Sequence, residues 1–136
     1  MKVYEVDIDM EDFRMFASKK RFEHRMFNGQ KLADEWTPFE VEEINNELKK
    51  GDFADFISTV YLVNEKAKLT LNNLLGEKVE FLNVHFKEKV WIMNVNNIVE
   101  EAIDYKKAIP FRVSSGKISF FREYAFNLDA IKHEYL

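Results

Sequence analysis

The apolar positions of this chain change period along its length, and the changes mark its elements. Residues 3–10 alternate, with Tyr4, Val6, Ile8 and Met10 on one side and Val3, Glu5, Asp7 and Asp9 on the other, which predicts a half-exposed strand. Phe13, Phe16 and Ala17 fit a helical turn or two, and Asn28-Gly29 predicts a turn because that dipeptide readily adopts positive φ. Residues 58–63 (STVYLV) are β-branched and aromatic and predict a strand. Asn64 then offers a side-chain oxygen to cap a helix. Ala67, Leu71, Leu74 and Leu75 form one apolar stripe along it, and Gly76 stands where a helix ends. Residues 79–86 and 90–95 read as apolar strands joined by the charged turn Lys87-Glu88-Lys89. Pro110 disfavours helix at Ile109. Residues 111–113 are placed to pair with 118–121 across Ser114-Ser115-Gly116-Lys117, and 127–131 predict one helical turn.

Residues 38–50 carry the local signs of a second helix. Thr37-Pro38-Phe39-Glu40 has the capping-box form, with Pro at the first helical position. Val41, Ile44 and Leu48 recur at helical spacing. Glu40, Glu42 and Glu43 come early and Lys49 and Lys50 late, as the helix dipole prefers. The expected fold class is α+β: a single domain over 1–136, a mostly antiparallel sheet, one clear helix at 64–75 and a second at 38–50.

A series of short matches runs through the last hundred residues: Trp36-Thr37-Pro38, Asp52-Phe53, the stretch from Val63-Asn64 to Leu74-Leu75, Glu80-Phe81-Leu82, the step from Val99 to Asp104, Ser115-Gly116, and Tyr124-Ala125-Phe126. This order resembles bacterial polymorphic-toxin immunity protein family eleven, formerly a domain of unknown function, over roughly residues 36–136. Asn83 and Ala108 depart from its usual Pro and Ser. The resemblance implies a non-enzymatic protein that binds and neutralises a cognate toxin. It implies an extended Pro-x-x-Val segment after Trp36 in place of the local helix. It also implies a C-terminally shortened domain, in which residues 131–136 pack on the body and leave a strand edge or apolar patch. Such an edge invites self-pairing, so a homodimer is a further expectation.

Composition narrows the class. At 136 residues, 46% hydrophobic and 32% charged, the chain can bury a core and is not disordered. No window approaches the ~18 consecutive apolar residues of a membrane span, and the acidic start predicts no signal peptide. Cysteine is absent, which removes disulfides, thiolate metal sites and cysteine nucleophiles and points to the cytoplasm. The net charge of −4 argues against nucleic-acid binding, and the basic run Lys19-Lys20-Arg21 is interrupted by Glu23 before Arg25. Thirteen Phe against four Gly predict an aromatic core.

Candidate chemistry is sparse. His24, His85 and His133 have no metal-ligand spacing. Asp7 and Asp9 share a strand face within reach of one ion, but the motif is short and common. Glu100 and Asp104 align only if that stretch is helical, and Ser114-Ser115-Gly116 lacks a nucleophile-elbow pattern. No catalytic, cofactor-binding or metal-binding residue is assigned. Partner-binding candidates are the acids Glu40, Glu42, Glu43, Glu47, Asp52 and Asp55, which suit a basic toxin, and Leu69, which points about 180° from the apolar stripe.

Overall fold

In the computed structural model, which describes residues 3–4, 6–57 and 60–131, the chain folds as two units. Of the described residues, one unit holds Val6–Asn97 and the other holds 3–4 with 98–131. The class is α+β, mostly antiparallel sheet.

The first unit is built on β1 (Phe16–Ser18), β2 (Val41–Glu43), β3 (Phe53–Ile57), β4 (Val60–Asn64), α1 (Glu65–Leu75), β5 (Val79–Asn83) and β6 (Val90–Val95). β1 and β2 pair antiparallel, and the other four strands form an antiparallel sheet in the order β3-β4-β6-β5. Two single parallel bridges join the sheets, Met15 to Asp55 and Glu40 to His85. The pairing therefore runs round as β1-β2-β5-β6-β4-β3 and back to β1.

Period-two alternation sorts the side chains. Phe16, Val41, Ala54, Phe56, Val60, Leu62, Leu82, Val90 and Ile92 point inward and form one core with Phe39. Phe22, Phe27, Leu32 and Trp36 pack against it from the long connection between β1 and β2. The opposite face of the four-stranded sheet offers Tyr61, Val63, Val79 and Met93, and α1 covers them with Ala67 and Leu75. β4 is thus apolar on both faces, which is why VYLV reads as a continuous apolar run. Glu80 also points inward, where its carboxylate accepts the Leu32 and Ala33 N–H groups and the Nδ2 of buried Asn94.

Asn64 caps α1 as its position predicts: its Oδ1 accepts the Ala67 N–H at 2.9 Å. Gly76 closes the helix at φ +55. The stripe needs one correction. Ala67, Leu71 and Leu75 face the sheet, but Leu74 is 65% exposed, because 100° per residue carries it past the contact line that its neighbour Leu75 occupies. β5 ends at Asn83 rather than running to 86, and of the strand expected over 58–63, Ser58 and Thr59 lie outside the described residues.

Three other expectations are overturned. Residues 38–50 are not helical: Val41–Glu43 is β2, held by Ser18 and Ala17 on one side and by His85 on the other. Inward Phe39 and Val41 are two apart, a strand spacing, and core burial outweighs the capping signals. The described residues among 3–10 form no strand, and Tyr4, Val6 and Met10 are exposed. Alternation alone supplied no partner strand. The helical turn at Phe13–Ala17 is instead β1 and its approach, with Phe16 driven into the ring.

The second unit holds β7 (Ile109–Arg112), β8 (Ile118–Glu123) and the short helix α2 (Leu128–Ile131). The β7–β8 hairpin matches the expected pairing across Ser114–Lys117, and α2 matches the expected helical turn. Residues 132–136, expected to pack on the body, lie outside the described residues, as does His133.

Candidate functional site

A concavity of the first unit lies beside one of the two single bridges that join its sheets. β2 meets the chain after β5 only at His85: the Val41 N–H donates to the His85 carbonyl at 3.2 Å and the His85 N–H to the Phe39 carbonyl at 2.8 Å. Beyond that bridge the two segments part. The space between them is an open groove of about 570 Å³, floored by Val41 and Phe86 and walled by Lys19, Glu40, Glu42, Glu43, Asn46, His85 and Lys87. A shallower extension continues past Lys20 and Pro38.

Beneath the parting point sits a buried ion network. Arg14 is 4% exposed, and its guanidinium lies over the Phe16 ring. One Nη donates to Glu43 at 2.6 Å and to Glu88 at 3.1 Å. Lys50 bonds to Glu88, and Lys87 approaches Glu43 at 3.5 Å. These contacts tie the approach to β1, the end of β2, the chain before β3 and the β5–β6 turn. For Glu43, burial pushes the carboxyl up, but the bond and charge of Arg14, helped by Lys87, outweigh it and hold it below the usual glutamate value. The bond from Lys50 holds Glu88 down, against burial and with help from Arg14.

The structure separates the predicted partner-binding residues. Glu40 and Glu42 are exposed and line the groove, and Glu47 is exposed nearby in sequence. Glu43 also borders the groove, but its side chain is 8% exposed and its charge is committed to Arg14. Asp52 supports the start of α1: it accepts the Asn64 Nδ2 at 2.9 Å and the Lys66 ammonium at 2.8 Å, and these bonds hold its carboxyl below the usual value. Asp55 is half-buried in β3, and burial together with the nearby Asp7 charge pushes its carboxyl up. Leu69 is 60% exposed on α1.

Asp7, Asp9 and Asp52 border a smaller hollow of about 220 Å³ against Phe13 and Phe53. Their oxygens already serve the backbone and α1: Asp7 accepts the Ile8 N–H, and Asp9 accepts those of Glu11 and Asp12. Among the described residues, no three His, Asp or Glu side chains are grouped to hold a metal ion. Glu100 lies in a three-residue 3-10 turn, Glu100–Ala102, so the helix that would align it with Asp104 is absent there. Asp104 bonds Lys107 and the Lys106 N–H instead.

Reasoning from sequence missed Arg14, Glu88, Lys50 and the His85–Lys87 wall. Arg14 had a signal: it stands between Phe13 and Met15, two residues before the fully buried Phe16. His85 had none, since only long-range pairing brings it to β2. No helix among the described residues is long and apolar enough to cross a membrane. No protein-family model and no curated protein matches the chain.

Proposed function

We propose that this chain is a non-enzymatic interaction protein, an immunity protein that binds a cognate bacterial toxin in the cytoplasm and neutralises it. The observation that carries this reading is the placement of Glu40 and Glu42. Both are exposed acids on the rim of the groove, Glu42 in β2 and Glu40 just before it, where the backbone bonds to Lys19 on one side and to His85 on the other; the Glu40 carboxylate also pairs with Lys19 at 3.2 Å. A strand held in this way loses little freedom on binding, so less of the contact energy goes into ordering. Exposed acids steer a basic partner and suppress acidic ones. The likeness to immunity family eleven supplies the partner class, and the net charge of −4 agrees in sign with a basic toxin.

The test is co-expression with the product of the neighbouring toxin gene, read by pull-down and by growth. The chain should co-purify and restore growth. Glu42→Lys with Glu47→Lys should slow association and flatten its dependence on salt, because less attraction is left to screen, without changing the thermal midpoint. Failure to bind or protect against any neighbouring toxin would favour a generic adaptor. Stoichiometric Mg²⁺, Mn²⁺ or Zn²⁺ binding that is lost in Asp7→Asn would favour a metal-dependent enzyme.

A further inference from the structure

For its size, the second unit exposes more large apolar side chains than the first. Nine of the sixteen exposed large apolar side chains of the described residues lie between Ile98 and Leu128, and the buried apolar side chain there is Ala108. The β7–β8 hairpin carries much of this surface. Phe111 and Phe120 stack with ring centroids 4.7 Å apart, and Arg122 lies over Phe111. Phe120 is half exposed, as are Ile109 and Ile118 to a similar degree. A two-stranded sheet is marginal by itself, and three or more strands are needed for a stable sheet with an apolar face. Among the described residues no further strand or bridge lies on either edge of this hairpin.

The two edges differ. β7 contains Pro110, which has no N–H to donate and so makes β7 the poorer of the two edges to extend. β8 contains no proline.

We propose that β8 pairs with β8 of a second copy of this chain, antiparallel about a two-fold axis at Phe120, to give a four-stranded sheet β7-β8-β8-β7. Two features favour a copy of the chain over a charged stranger. From Ile98 to Ile131, five lysines and arginines stand against five carboxylates, so self-association meets no net repulsion there. The two-fold sets Lys117 opposite Glu123 of the partner copy, twice, while Phe120 meets Phe120 and extends the stacked pair on each side. A six-residue edge spans only ~20 Å, so the aromatic faces must contribute to reach the ~1,000 Å² of a specific interface, and the dimer is expected to dissociate in the micromolar range.

The test is sedimentation velocity of the full chain over a dilution series. A shift from 16.2 kDa toward twice that mass is expected as concentration rises. Lys117→Glu alone and Glu123→Lys alone should each weaken the dimer about fivefold or more, and the double exchange should restore it. The chain has no cysteine, so Phe120→Cys gives an independent readout: mild oxidation should cross-link Phe120→Cys pairs and leave Ser115→Cys uncross-linked. A monomer at every concentration, single reversals without effect, a double exchange that fails to restore pairing, or equal cross-linking at both sites overturns the proposal. The outcome is independent of toxin binding through the groove.

Discussion

Arg14→Met tests whether the buried ion network laces the ring. The substitution keeps the length of the side chain and most of its packing on Phe16, and removes the charge. It leaves Glu43, 8% exposed, with Lys87 at 3.5 Å as its remaining cation. Stripping one partner from a buried pair costs about 3–5 kcal/mol, because the remaining charge stays desolvated. Glu88 is a third exposed and keeps Lys50, so little of the cost comes from that side. The expected loss is therefore near the low end, about 3 kcal/mol. For a chain of this length that lowers the thermal midpoint by roughly 10 °C. The assay is urea denaturation at neutral pH, repeated with Arg14→Met combined with Glu43→Gln. Neutralising the orphaned carboxylate should recover at least half of the loss. The pH dependence has a definite sign. Both carboxyls titrate lower in the folded chain, so their stabilisation is present above the ordinary glutamate value and is lost as pH falls through the folded values. The gap between wild type and Arg14→Met should therefore narrow below about pH 4. A loss under about 1 kcal/mol, or a double variant no more stable than the single, would refute the reasoning.

Asn64→Ala should cost about 1–2 kcal/mol in a denaturant titration, since it removes the cap on Ala67 and the Nδ2 bond to Asp52 together. Leu75→Ala should cost about 2–5 kcal/mol and Leu74→Ala under about 0.5 kcal/mol, because only the former is buried; equal costs would show that the face of α1 is misplaced. Asp55→Asn should raise the thermal midpoint at neutral pH. The raised folded carboxyl favours folding at low pH, and that advantage is lost as pH rises through its folded value, so the gain should vanish at about pH 3. An unchanged or lower midpoint at neutral pH would count against burial beside Asp7 as the cause.

Elements whose stability is local were legible in the residues themselves. Asn64, an apolar stripe from Ala67 to Leu75 and Gly76 specify α1 with its start and stop, because the cap, the apolar face and the positive-φ residue all lie within one short segment, although the stripe as read included Leu74, which the structure exposes. The strands expected at 79–86 and 90–95, the first of which ends at Asn83, and the hairpin around Ser114–Lys117 were plain, since alternation and turn chemistry act between near neighbours. Residues 38–50 show the limit. Their capping box and charge gradient describe a good helix, yet Phe39 and Val41 enter a core completed by Phe16, Phe56 and Leu82 from distant parts of the chain. Burial of two large side chains outweighs a local preference of about a kcal/mol. The acids Glu40 and Glu42 were visible as charges in the residue string. That they line a groove, while Glu43 is consumed by Arg14 and Asp52 by α1, depends on closing the ring through His85 and Asp55. Local propensity and spacing act over a few residues and made α1, β4, β5, β6 and the β7–β8 hairpin legible, but not β1, β2 or β3, whose partners are distant in the chain. Ring closure, the buried ion network and the groove arise from pairings between residues tens of positions apart, and only the tertiary structure decided them.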